Sequence, residues 1–187
     1  MVKYKKRTVI RVISMSILHI MNTKLHPPGI RESIIRRAHV QKKLQKIKQY
    51  PLTLVYSGAG YGKSTSLALY LHDTNDHATW YSMTSQDDDF VSFLTYLIHS
   101  IQIKYRNFGM NIMNRILTRK TYFQEKEVLF IASLFINEIV ALQEEFIMII
   151  DEWDAPIREA KNQPDIQREY LEFLRSLFKN SGITDKT

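Results

Sequence analysis

Leu52-Thr53-Leu54-Val55-Tyr56-Ser57-Gly58-Ala59-Gly60-Tyr61-Gly62-Lys63-Ser64 is the stretch that decides the fold. Its first five residues are a short β-type run. Glycines follow at 58, 60 and 62, and a helical pattern opens at Lys63 and runs to Leu71. Strand, glycine loop and helix in that order are the context a phosphate-binding loop requires. Glycines let backbone N–H groups turn inward around phosphate oxygens without Cβ clashes. The helix that follows aims its N-terminus at the same anions. Lys63 would bring a mobile positive charge to the phosphates, and the Ser64 hydroxyl suits Mg²⁺, a hard cation that prefers oxygen. The nucleotide-contacting residues expected here are Ser57, Gly58, Ala59, Gly60, Tyr61, Gly62, Lys63, Ser64 and Thr65. Ser57 stands where the eight-residue pattern normally has its first glycine, and Gly58 directly after it leaves the turn feasible. A chance glycine-rich turn is the competing explanation. The coincidence of strand, glycines, Gly-Lys-Ser and helix weighs against it.

A companion motif lies about 90 residues on, a gap that leaves room for a strand and helices. Phe146-Ile147-Met148-Ile149-Ile150 reads as a buried strand and ends in Asp151-Glu152. An acid at the C-terminal end of a central strand sits at the ligand-binding rim of an open α/β sheet. Asp151 is expected to hold Mg²⁺ through water, with Ser64 as the other metal-side residue. Glu152 is placed to orient or deprotonate an attacking water, so Asp151 and Glu152 are the catalytic candidates. Taken alone, the run would be an ordinary strand entering a turn.

Between and around these motifs, residues 78–83 read as a second strand. Helical spacing covers 38–49 through Val40, Leu44 and Ile47, and 90–101 after Asp87-Asp88-Asp89. It recurs over 127–142 and over 165–179, the last stopped by Gly182. The three aspartates are expected to sit at the positive end of the following helix. The polar, basic stretch 104–126 gives no clear pattern. Alternating strands and helices predict an α/β fold with a parallel sheet covered on both faces.

Composition limits the alternatives. The chain has 187 residues with 44% hydrophobic and 24% charged, which excludes a disordered tail and a coiled-coil rod. No run approaches the ~18 apolar residues of a spanning helix. With no cysteine, disulfides, zinc-thiolate sites and a thiol nucleophile are excluded, and a reducing, cytoplasmic setting is expected. The net charge of +7 is uneven: residues 1–50 hold 13 Lys/Arg against one acid, Glu32, and the other 137 hold 13 against 18. Residues 1–22 read as a basic leader or extension, and Arg11 within the run opposes a signal peptide. Nucleic-acid binding through this basic front is a weak expectation. The lysines of 38–49 read as a solvated face, and the scattered histidines give no metal site.

Two resemblances extend this reading. The stretches TKLHPPGI, IIRRAHVQKKL, TLVYSGAGYGKSTSLALYL and ATWYSMTSQDDDFVSFLTYLIHSI resemble the nucleotide-binding domain of large LuxR-type transcription activators, within the STAND class of signalling NTPases. That resemblance implies a three-layer P-loop NTPase over residues 23–187. It implies bound ATP with Mg²⁺ as cofactor, and slow ATP hydrolysis used as a switch. It also makes Ile35, Arg36 and Arg37 candidates for base or ribose contact. IIDEWDAPIREA with REYLEFLRSLFKNSGI instead resembles bacterial AAA-ATPase-like proteins.

Folds of this kind usually place a further strand between the phosphate-loop strand and the acidic one. Only 52–56, 78–83 and 146–150 read as core strands here. The sheet is therefore expected to be incomplete on its C-terminal side. Either a neighbouring molecule, by self-association, or a further domain fills the unpaired edges left by the gap, or the 187 residues are a fragment of a larger ATPase. A non-catalytic interaction module is the alternative to an ATPase, and no membrane role is expected.

Overall fold

The computed structural model describes residues 20–50, 52–58, 60–84, 86, 87, 89–118, 122–155, 157 and 164–180. The leader expected over 1–22 lies mostly outside them, as do Ala59, Asp88 and the helix stop at Gly182.

In chain order the elements are α1 (Ala38–Leu44), α2 (Lys63–Thr74), β1 (Ala78–Ser82), α3 (Phe90–Gln102), α4 (Met110–Leu117), α5 (Glu125–Ala141), β2 (Ile147–Asp151) and α6 (Pro164–Asn180). Short 3₁₀ turns cover Asn22–Leu25 and Ile47–Gln49. Local chemistry fixes several boundaries. Asp89 caps α3 by accepting from the Ser92 N–H at 2.9 Å. Gln124 and Glu127 form a reciprocal capping box that starts α5. Asn75, at φ 52°, closes α2 in the left-handed region that a short polar residue tolerates.

β1 and β2 pair in parallel, from Ala78 opposite Ile147 to Ser82 opposite Asp151. Successive strand residues face opposite sides, and both sides are covered. Trp80 and Ile149 pack with Leu44 of α1 and with Leu67 and Tyr70 of α2. Tyr81 faces the larger core, built from α3, α4, α5 and α6. Aromatic edges lock that core: Phe93 meets Tyr170 at 4.7 Å and 89°, and Phe135 meets Phe108 at 5.2 Å and 89°. Such pairs contribute about 0.5–1.5 kcal/mol each beyond their area.

Two expectations need correction. Residues 52–56 join no ladder, so the sheet has two strands among the described residues instead of three. Leu52, Leu54 and Tyr56 are 47%, 63% and 91% exposed. The physical reason is the missing neighbour: a strand is defined by a partner's hydrogen bonds, and a groove separates this segment from β2. The complete three-layer sheet is accordingly not seen. The second correction concerns 104–126, which contains α4. Ile112 and Ile116, four apart, are fully buried there.

The aspartate run also divides. Asp89 is the helix cap, but Asp87 is buried and binds Lys24 at 2.6 Å. Lys24 donates to both Asp87 oxygens and to Thr84 Oγ1 at 2.9 Å, and its ammonium lies over the Tyr96 ring. This pair fastens the N-terminal 3₁₀ turn to the loop after β1. Removing one partner of such a pair leaves an uncompensated buried charge. Asp87→Ala is therefore expected to cost about 3–5 kcal/mol. A Lys24→Met/Asp87→Leu double variant should recover most of that loss, with urea midpoints as the measurement.

Candidate functional site

The site forms where the N-terminus of α2 meets the C-terminal end of β2. Gly60 and Gly62 have φ of 78° and 73°, a region open to glycine and costly for other residues. Gly62 is the N-cap of α2 and offers no capping side chain. The first N–H groups of a helix have no partner inside it. Among the described residues no acceptor meets the N–H groups of Lys63, Ser64 or Thr65; the first loop bond inward is Ser66 N–H to Gly62 O at 2.9 Å. The loop thus presents donors that meet no acceptor among the described residues, at the positive end of a twelve-residue helix.

Lys63 bends back over this loop. Its Nζ donates to Ser57 O at 3.1 Å and Gly58 O at 3.4 Å, and lies 3.9 Å from Glu152 Oε1. A phosphate in the loop would compete for that ammonium with two neutral carbonyls and with the Glu152 carboxylate, and against the carbonyls a charged acceptor is the stronger partner. Ser64 Oγ donates to Asp151 Oδ1 at 2.9 Å, which joins the two motifs across 87 positions of sequence. Burial raises the Asp151 pKa first, Ser64 opposes that by hydrogen bonding, and the Glu152 charge adds to the rise. A divalent cation there would favour the ionised carboxylate, since an opposite charge stabilises it.

Glu152 follows at φ 54°, in the left-handed region, and its carbonyl accepts from Ala155 N–H at 2.8 Å. Its side chain is 37% exposed. The structure thus brings Ser57, Gly58, Lys63, Ser64, Asp151 and Glu152 together, while Ala59 lies outside the described residues. Thr65 is half-buried in the first turn of α2. Tyr61 is 67% exposed and its ring lies against Gly58.

Arg37 flanks the loop: its guanidinium donates to Tyr61 O and, at 3.4 Å, to Ser66 Oγ. The two residues before it do not join the loop. Arg36 pairs with Asp73 on the surface, and Ile35 is 85% exposed.

Three contributors were missed in the sequence. Ser82 Oγ lies 3.5 Å from Asp151 Oδ2, and Trp80 Nε1–H donates to Ser82 Oγ at 2.7 Å. Because the indole can only donate, it occupies a lone pair of Ser82 and leaves the hydroxyl hydrogen for Asp151. Gln41 of α1 donates to Ser66 O at 3.2 Å and steadies the base of the loop. The signal for Ser82 lay in the register, which sets it opposite Asp151.

Among the described residues no cluster of three or more His, Asp or Glu side chains could hold a metal by itself. Mg²⁺ does not require one, because it commonly takes one or two protein oxygens together with substrate phosphates and water. Ser64 and Asp151 supply such oxygens beside unpartnered amides, a donor set that suits a magnesium-bound nucleotide. No helix among the described residues is long and apolar enough to cross a membrane.

No protein-family model matches the chain. Over 131 residues it is 32% identical to the HTH-type transcriptional regulator MalT of Vibrio campbellii, across 70% of this chain and 14% of that protein. The MalT regulator of Yersinia enterocolitica is 30% identical over 135 residues, and that of Vibrio cholerae 32% over 152. These matches cover 72% and 76% of this chain, and 13% and 16% of the two regulators. The chain is thus similar to part of a transcriptional regulator and spans about one seventh of its relatives' length. The LuxR-type resemblance agrees with these matches.

The loop geometry gives a direct test. A Cβ on Gly62 would lie 2.9 Å from Arg37 Nη2, and the backbone there is left-handed. Gly62→Ala is expected to cost about 1–2 kcal/mol from the backbone alone. Adding Arg37→Ala removes the contact and leaves the backbone cost, so Gly62→Ala should still destabilise the Arg37→Ala protein in thermal unfolding.

Proposed function

We propose that this chain is the Mg-ATP-binding module of a regulatory ATPase of the transcription-regulator type, with slow hydrolysis acting as a switch. The observation that carries the proposal is the Ser64–Asp151 contact at 2.9 Å, made beside a loop with free amides. The choice of ATP over other nucleotides comes from the LuxR-type resemblance. The name of the relatives, transcriptional regulator, supports the regulatory half.

In this proposal the amides of residues 62–65 and the Lys63 ammonium hold the phosphates. Lys63 leaves the Ser57 and Gly58 carbonyls to do so. Ser64 and Asp151 turn their oxygens to the cation, and Ser82 keeps Asp151 oriented. Bound Mg²⁺ would neutralise phosphate charge that develops during transfer. Glu152 accepts a proton from, or orients, the attacking water. Arg37 stands at the loop's flank, where its charge adds to the field on the nucleotide.

The free edge of β2 favours a second function, that of a docking module whose nucleotide site is a ligand-sensing element without turnover. The two are separable by kinetics. Equilibrium titration of Mg-ATP should give at least ~100-fold weaker binding in Lys63→Ala, as expected when a charged hydrogen-bond donor worth about 3 kcal/mol is lost. Equal affinity in both proteins would reject the nucleotide site. In single-turnover phosphate release, Glu152→Gln should slow hydrolysis about 10²–10⁴-fold. An unchanged rate would remove the catalytic role of Glu152 and leave binding in place.

A further inference from the structure

A cavity of about 330 Å³ lies beside the first half of β1. Its walls are the start of that strand, the C-terminal end of α3 with the turn after it, and Leu25 to Pro27 of the lead-in. Ser82, the residue opposite Asp151, is four positions along the strand from Ala78. At the rise of a strand that is roughly 13 Å, so the cavity is separate from the phosphate loop.

The sheet register leaves backbone groups open on this side. At the two ends of β1 the odd-numbered residues bond to the β2 segment. His77 O accepts from Ile147 N–H at 2.8 Å, and Met83 N–H donates to Asp151 O at 3.0 Å. Period two then turns the N–H and C=O of Ala78 toward the opposite edge of the strand. Ala78 is exposed and lines the cavity, and neither group meets a hydrogen-bond partner among the described residues. Thr79, 6% exposed, also contributes to the lining, and its hydroxyl has no partner among the described residues. A buried hydroxyl without a partner is uncommon in a folded protein and marks a place where one is missing.

The ionised groups of the lining, by contrast, are already compensated. Lys104 Nζ donates to Glu144 Oε2 at 2.7 Å and to His77 Nδ1 at 2.5 Å. Asp76 accepts from Lys48 Nζ at 2.5 Å and from Tyr70 Oη at 2.8 Å. A charged ligand would have to break one of these pairs to gain a partner. Leu25, Leu71, Ile103 and Phe146 make the rest of the wall apolar. The volume is at the low end for ligand cavities, which suits a small molecule.

We propose that this cavity binds a small uncharged N-acyl amino-acid amide with a branched apolar side chain. Its residue N–H donates to Ala78 C=O and its C=O accepts from Ala78 N–H, the exchange of two bonds that a single residue can make. Its side chain covers the apolar wall. The proposal does not rest on the Mg-ATP reading.

The test uses the full chain without nucleotide, with N-acetyl-leucine methylamide as the probe and backbone amide shifts followed by NMR. The Ala78 signal should move and saturate with a Kd of about 1 mM or tighter, the range open to a ligand of this size. The amides of residues 62–65 should stay in place. The analogue methylated at the leucine nitrogen should bind at least ~10-fold more weakly, because the Ala78 carbonyl then loses its donor. N-acetyl-leucinate should also bind more weakly, since the lysine of the lining is already paired with Glu144. Ile103 is 56% exposed, so Ile103→Glu should keep its thermal midpoint while weakening the probe at least ~10-fold through the charge it adds to the wall. No saturable shift at Ala78, equal affinity for the methylated analogue, or unchanged affinity in a folded Ile103→Glu protein would overturn the proposal. Tighter binding of N-acetyl-leucinate would overturn the uncharged class. Should Ile103→Glu fail to fold, the two analogues decide on the unaltered protein. With no nucleotide present, failure here leaves the Mg-ATP proposal standing, and a failed Mg-ATP titration leaves this one standing.

Discussion

Everything at the site depends on the parallel pairing of β1 with β2. The ladder sets Ser82 opposite Asp151 and carries Asp151 to the same end of the sheet as the α2 N-terminus. If the register shifted by one residue, alternation would turn Asp151 to the other face. The register is protected from both sides, since Trp80 and Ile149 are buried against α1 and α2, and Tyr81 against α3. The buried Asp151 carboxylate is therefore positioned by the apolar packing of its strand and by the Ser64 and Ser82 hydroxyls, with no ion pair among the described residues. That arrangement leaves its charge available to a ligand.

The phosphate loop is organised by complementary means. Left-handed glycines turn the chain so that donors point outward, and the loop's one lysine rests on two neutral carbonyls with the Glu152 carboxylate 3.9 Å away. Arg37 and Gln41, from the lead-in and α1, hold the loop's outer rim and base. Ligand-free geometry is thus kept by contacts that a phosphate can outbid or leave intact. The lead-in contributes as well, because Lys24 and Asp87 fix its start beneath the sheet.

Elements with a strong local period were legible in the sequence. α3, α5 and α6 follow their apolar spacing, and β1 and β2 their short apolar runs. Asp89 was readable as a helix cap because an aspartate before an apolar periodic run has few other uses. Asp87, two residues earlier, was not, since only the fold reveals the buried Lys24 it meets. α4 was obscured by its polar residues, although Ile112 and Ile116 carried the spacing. Residues 52–56 misled in the opposite sense. Their composition is that of a strand, but composition cannot supply the neighbour whose hydrogen bonds make one. At the site, the glycine loop and Asp151-Glu152 announced themselves by residue type. Ser82 and Gln41 did not, because a serine or glutamine gains its meaning from the atom it faces.

The chain has two tryptophans, Trp80 and Trp153, and both lie next to site residues. Trp80 is 2% exposed and connects through Ser82 to the Asp151 carboxylate. Trp153 follows Glu152, and its carbonyl accepts from Tyr170 Oη at 2.6 Å. The protein therefore carries its own optical reporters. A change of charge at Asp151 alters the field along the Trp80 indole, and a movement of the acidic turn carries Trp153 with it. Native emission is weighted to this corner of the molecule, with no label required.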